Sequence, residues 1–375
     1  MTFERGAKAA PQAARPGFPE GAPPVDGNPR SPREAWIDTL RGIGIVAVAT
    51  GHVVSGPALV AAIFLFHMPL FFLIGGWLHR TDERPGDYFR SRAFALLLPY
   101  GCYLAILWPL ELLAAFPDQA WTGAWLIHAL VKPMLLGGPL LKGYAAVFWF
   151  VTCYFLTQQL IHHLLRNYSP RTCAFILAAM LAAAYGQAVL MPHVWLPWSV
   201  HTVLFAAPIY FIGHCVRGQD LRRLIAPWPL WLAAGAGALA LAVLQPGNTL
   251  DMKYAGYGVP LLTLAGSLIV TGLLARFALL LHKVRLGAAV VLAAGLSSLG
   301  RASMTIMFLH QPVQLALWKL FAVAAEAPRI AAALLLPYLL HQGLERLAIG
   351  RRLFLGRRAP PTPWWLRATD GGGRL

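Results

Sequence analysis

A chain of 375 residues that is 58% hydrophobic and only 12% charged, with a mean hydropathy of +0.58, lies far outside the range of soluble globular proteins. Its net charge of +16 would suit a nucleic-acid partner, but no basic stretch carries interleaved aromatics on a polar face, so none is expected. The apolar runs are continuous and rich in Leu and Ala rather than alternating, which excludes a β-barrel and leaves an all-α polytopic protein embedded in a lipid bilayer.

Residues 1–33 are rich in Pro, Ala, Gly and Arg and contain no apolar core. A signal peptide needs an apolar region of about 7–15 residues, so this segment reads as a disordered cytoplasmic tail. Residues 34–350 then form a transmembrane domain of ten predicted spans, near 38–58, 61–79, 93–115, 145–165, 172–190, 199–217, 227–245, 257–280, 302–321 and 328–350. Residues 351–375 read as a second, basic cytoplasmic tail. An even number of spans puts both termini on one side. With the tails inside, only Lys132, Lys142, Lys253, Lys319 and Arg329, out of 31 Lys and Arg, fall on the other face. That asymmetry supports both the number of spans and cytoplasmic termini. Residues 116–144, with Trp121, Trp125 and His128 followed by Lys132-Pro133 and a Gly-Gly-Pro turn, are too broken for a span and read as an interfacial or re-entrant cover. Residues 286–300 read as a helix on the inner face.

The first span holds the most informative pair. Arg41 and His52 lie eleven residues apart in WIDTLRGIGIVAVATGH (36–52), almost three helical turns, on one face and roughly 16 Å apart along the axis. Ionisable groups inside a span are costly and mark function by default. His67 in the second span and His310 in the ninth fall at a similar depth, each roughly 13–20 Å from the inner edge. Three imidazoles at one depth are placed to line a common cavity, although a single buried His is as often a hydrogen-bond partner of a neighbouring helix.

Apart from Glu111, near the outer end of the third span, no carboxylate lies within a span, which weighs against a proton-coupled carrier without excluding one. No His pair at i, i+4 and no adjacent carboxylate completes a metal site, so no metal is expected. Cys102, Cys153, Cys173 and Cys215 have no paired spacing and read as small hydrophobes. Histidine is the usual general base for a hydroxyl. Acyl transfer to a hydroxyl needs that base, an oxyanion stabiliser and cations for an anionic donor. Arg90 and Arg92, at the mouth of the third span, are candidates for the last role, though orientation alone also explains basic residues there.

These residues resemble the integral-membrane acyltransferase-3 superfamily, and within it the fucose 4-O-acetylase-like branch. The resemblance rests on the Arg–ten residues–His pattern at 41–52 and on FHMPLFFLIGGW (66–77), supported by LLPY (97–100), FWFV (148–151), PIYFIGH (208–214) and LGRASMTIMFLH (299–310). It implies a ten-helix enzyme that moves an acyl group, usually acetyl, from cytoplasmic acyl-CoA to a hydroxyl of a cell-surface or lipid-linked carbohydrate at the inner membrane. It places the family's essential Arg and His on Arg41 and His52, and a further conserved His on His310. Members often carry two basic residues three apart before the LLPY run; here Arg92 fits the first position and Ala95 occupies the second, so another acyl group such as succinyl stays open. The alternative is a transporter or exporter of a glycan or lipid intermediate, for which inverted repeats would speak; none is visible.

Overall fold

In the computed structural model the described residues are 32–358 apart from 117, 119, 218, 220–227 and 246. They fall within one folded unit, 31–359. The expected tails at 1–31 and 359–375 lie outside the described residues.

Among the described residues there is no strand beyond a lone bridge between Asp251 and Gly256, and each of the ten predicted spans overlaps a helix, though the first, 38–58, runs past the end of its helix at Gly51. The helices are α1 (Pro32–Gly51), α2 (Pro57–Leu78), α3 (Pro85–Ala115), α4 (Gly123–Leu136), α5 (Gly143–Asn167), α6 (Pro170–Leu190), α7 (Val200–Cys215), α8 (Trp228–Leu244), α9 (Leu262–Leu281), α10 (Gly287–Arg301), α11 (Ser303–Leu320), α12 (Glu326–Arg346) and α13 (Ala348–Leu353). Five of them, α2, α3, α5, α6 and α9, are long and apolar enough to cross a bilayer, and α10 with α11 makes a sixth if that pair, bent by 81°, is one span. The chain is therefore an all-helical, multi-pass membrane protein. The segment 286–300 is indeed helical, but it is the first arm of this broken pair.

Proline sets several boundaries. Pro57, Pro85 and Pro170 stand in the first turn of their helices, where the missing N–H costs nothing. Pro69 acts differently: it has no N–H, and its ring crowds the carbonyl four residues back. α2 is accordingly interrupted at Leu65–Phe66 and resumes at His67. In α3 a π-helical turn, Ala93–Leu97, precedes Pro99 and follows Arg92 directly.

Two expectations change. α1 begins at Pro32 and ends at Gly51, so His52 is not deep within a helix but is the first residue beyond one. The C-terminal residues 351–358 are not loose: Phe354 packs against Tyr103 with ring centroids 5.2 Å apart, Arg357 pairs with Glu345, and Arg358 lies 5.6 Å from the Phe94 ring. Within 116–144 the described residues include a short apolar helix, α4, and a 3-10 turn at Gly138–Leu140 that leads into α5.

α1 and α10 meet at van der Waals contact of their backbones. A Cβ at Gly300 would stand 1.8 Å from the carbonyl oxygen of Asp38, and one at Gly42 would stand 1.9 Å from that of Leu296. The neighbour in each case is backbone, which cannot swing away. Gly300→Val and Gly42→Val are expected to lower stability by about 1–3 kcal/mol or more, read as thermal unfolding of the protein in detergent. Gly295→Ala, with open space around the added carbon, is expected to be neutral or stabilising by up to ~1 kcal/mol. Equal midpoints for all three would contradict the close approach.

Candidate active site

The three histidines converge although they come from three different segments. The His52 and His310 rings lie 5.3 Å apart, and Phe64 sits 5.9 Å from His52 and 4.7 Å from His67. His52 and His67 line a cavity of about 270 Å³ together with Met307, Gln311, Asp251 and Lys253. His310 stands behind His52 and is fully buried.

Two of the rings are held in the same way. His67 Nδ1 donates to the Ile63 carbonyl at 3.0 Å, and His310 Nδ1 to the Ile306 carbonyl at 2.9 Å. A carbonyl only accepts, so Nδ1 carries the proton and, in the neutral ring, Nε2 keeps its lone pair. His310 Nε2 is buried with no hydrogen-bond partner. Each of these histidines is followed two residues later by proline, His67-Met68-Pro69 and His310-Gln311-Pro312. Proline frees a carbonyl within the helix turn and loosens the backbone beside the imidazole. This repeated His-x-Pro pattern is a signal that sequence reasoning missed.

The cationic candidates are elsewhere. Arg41 pairs with Asp38 one turn away at 3.4 Å and does not line the histidine cavity. Arg92 lies 3.8 Å from Glu83 and its guanidinium sits 5.0 Å from the Tyr88 ring, whereas Arg90 is exposed. Arg41 and Arg92 are nonetheless linked in space, since the Tyr154 hydroxyl on α5 is within electrostatic reach of both. The site thus has two ends, a cationic one around Arg41, Arg92 and Tyr154 and a histidine cavity about three turns of α1 away. Beside Ala95, where the resemblance leaves a basic residue missing, Gly356 covers the backbone and Arg358 supplies a guanidinium over Phe94.

Glu111, the one carboxylate expected within a span, is spent on structure. It is buried and accepts the Tyr144 backbone N–H at 2.8 Å. Lys253 and Asp251 were not anticipated at the site, because both lie in a loop with no motif. Among the described residues no group of three or more His, Cys, Asp or Glu is arranged to hold a metal ion, and all four cysteines are free thiols, Cys215 exposed rather than buried. A separate cavity of about 240 Å³ between Trp36, Leu40, Trp77 and Leu268 carries no ionisable side chain.

A buried cluster of imidazoles beside a cavity, with arginines near the far end of the same helix, suits proton transfer to an uncharged group and binding of an anionic one. A family model described as an acyltransferase domain, of the acyltransferase-3 type, matches residues 34–340. The chain belongs to the acyltransferase-3 family. It is a membrane acyltransferase, and the match runs from the start of α1 into α12, so both ends of the site lie within it. Neither a curated protein nor a solved structure matches the chain.

With the four native cysteines replaced by Ser, a short bifunctional thiol reagent is expected to join His52→Cys to His310→Cys and to leave Arg41→Cys and His310→Cys unjoined. Peptide mass spectrometry reads the crosslink, and equal yields for the two pairs would contradict the two-ended site.

Proposed function

We propose that this acyltransferase is an O-acyltransferase of the inner membrane, moving an acyl group, acetyl in the first instance, from cytoplasmic acyl-CoA to a hydroxyl of a cell-surface or lipid-linked carbohydrate. The observation that carries this reading is the clustering of three histidines within an acyltransferase-3 domain, His52 and His67 lining one cavity and the buried His310 ring 5.3 Å from His52.

In this reading His52 is the general base. It removes the proton of the acceptor hydroxyl as that oxygen attacks the thioester carbonyl carbon. The carbon–sulfur bond breaks, the electron pair leaves on the CoA sulfur, and the imidazolium returns the proton to it. One ester and one thiol result, with no net change in protons. His310 and His67, each with its Nδ1 proton tied to backbone and an acceptor Nε2, act on His52 by orienting it rather than by donating to the acyl carbonyl. Arg41 orients the site or meets donor phosphate, and Arg90 and Arg92 draw the anionic coenzyme to the cationic end. Arg358 is the cation that stands in for the one missing at Ala95.

The test compares O-acyl ester in envelope glycans, by mass spectrometry, between a deletion strain carrying the wild type and one carrying His52→Ala at matched membrane abundance. His52→Ala is expected to lower ester by about 100-fold or more, the usual contribution of a positioned base. Equal ester in the two strains would remove His52 from that role. Deletion that leaves every ester in place while abolishing export of a glycan intermediate would favour the transporter instead.

A further inference from the structure

Lysine and arginine are scarce on one face of this chain, and the rule that concentrates them on the opposite face gives no reason to bury any here. Yet one of the five, Lys253, lines the histidine cavity itself, with Lys142 on a second cavity beside it and Arg329 linked to it through Gln314 and Gln311. Lys253 is only 8% exposed and lines that cavity with His52. Its ammonium donates to the Leu141 carbonyl at 3.0 Å and lies 5.1 Å from the Tyr254 ring. An ammonium has three donors, so two are left with no protein acceptor among the described residues. Asp251 does not neutralise it by contact, because its carboxylate accepts the Lys253 backbone N–H at 3.1 Å and caps the turn there. A buried ammonium with so few protein acceptors is an anion site by its chemistry.

The surroundings describe the rest of the ligand. Tyr254 also lines a second, more open cavity of about 490 Å³, with Trp108, Trp195 and Lys142. Tyr254 and Trp195 are 47% and 38% exposed, with ring centroids 5.9 Å apart. Exposed aromatic faces offer a platform for the C–H face of a sugar ring. Arg329 contributes indirectly. It donates to the Gln314 carbonyl oxygen, and the Gln314 amide donates at 2.6 Å to Gln311, which lines the histidine cavity. With its carbonyl committed, Gln311 is left an amide donor to offer, the sense that suits an acidic or hydroxylic ligand.

We propose that the acyl acceptor is an anionic sugar, carrying a carboxylate or phosphate near the acylated hydroxyl, that pairs its acid with Lys253 while its ring packs in the corner between the perpendicular rings of Tyr254 and Trp195. This inference rests on the acyltransferase reading above and adds the substrate class to it. Burial pulls the Lys253 pKa down to about 8, with the neighbouring Asp251 carboxylate opposing the shift and Lys142 adding to it. The ammonium is therefore charged below pH 8 and loses its charge as pH rises through that value, while a uronate or phosphate stays ionised throughout.

The test uses purified full-length protein in nanodiscs at 150 mM salt and three soluble probes: an oligogalacturonate, a phosphorylated oligomannose and a neutral oligoglucose. Binding is read by tryptophan fluorescence and transfer by radiolabel from acetyl-CoA. The anionic probes are expected to bind about tenfold tighter than the neutral one at pH 7. That preference should fall between pH 7 and 9 in the wild type, persist to pH 9 in Lys253→Arg, and be lost in Lys253→Met. The arginine variant separates Lys253 from the other titratable groups around it, namely Asp251, Lys142, Tyr254, His52 and His67. The pH series on the native protein does not depend on any variant folding. Whichever anionic probe binds tighter identifies the acid. No preference for either anion, or a preference unmoved by Lys253→Met and by pH, overturns the proposal. Lys253-dependent binding of an anion without acyl transfer upholds the sugar site and removes the acyltransferase reading. Transfer to the neutral probe with the same kcat/KM as to the anions does the reverse.

Discussion

An imidazole fixed by its Nδ1 proton to a carbonyl one turn back is the interaction on which this site depends. In hydrocarbon every backbone polar group must find a partner inside the protein, so a helix break there is a problem to be solved. At Leu65–Phe66 the break is produced by Pro69, and the Ile63 carbonyl takes both the Phe66 N–H at 3.2 Å and the His67 ring at 3.0 Å. At His310 the same bond forms beside Pro312. The prolines free the Leu65 and Phe308 carbonyls, four residues back, while each imidazole anchors to a different carbonyl, four residues before itself. The result is a ring whose tautomer is set, with its second nitrogen turned away from the backbone.

His52 completes the cluster from a helix end rather than a helix interior. α1 can stop at Gly51 because the following loop is tied elsewhere: Ser55 donates its backbone N–H and its hydroxyl to Glu326, at 2.8 and 2.6 Å. At its other end α1 lies so close to α10 that only glycine fits at positions 42 and 300. One helix thus carries Arg41 on a rigidly packed segment and delivers His52 to a cavity lined from α2, α11 and a loop. Spacing alone fixes the separation of the two groups, and a rigid strut preserves it.

The helical architecture was legible in the sequence because apolar length is what a bilayer selects: each predicted span overlaps a helix, and five of the helices, or six with the bent pair, are long and apolar enough to cross. The convergence of His52, His67 and His310 was legible for a related reason: equal depth in neighbouring spans leaves side chains few places to go. Other features left no such trace. Residues 351–358 are half arginine, yet Phe354, Gly356 and Arg358 dock on α3; a docking surface made of single contacts has no periodicity to detect. The end of α1 was missed because the apolar pattern runs on past Gly51 through Val53 and Val54. Lys253 was hidden by its loop, where burial depends on how Leu141 and Tyr254 close over it.

Charge placement separates the demands of the membrane from those of chemistry. Arg90 is exposed beside the basic loop, and orientation is enough to explain it. Arg92 is pinned between Glu83 and Tyr88 with its Nε buried and unpartnered, a position that orientation alone does not require. Lys253 is the strongest case, since it is buried and no carboxylate among the described residues contacts its ammonium. A buried lone charge costs several kcal/mol after relaxation, and surface residues satisfy the orientation rule without that cost. The two ends of the site therefore carry cations for different reasons: abundant and mostly solvated ones at the Arg41 end, and a single desolvated one beside the histidines, where a low local dielectric makes its field strongest.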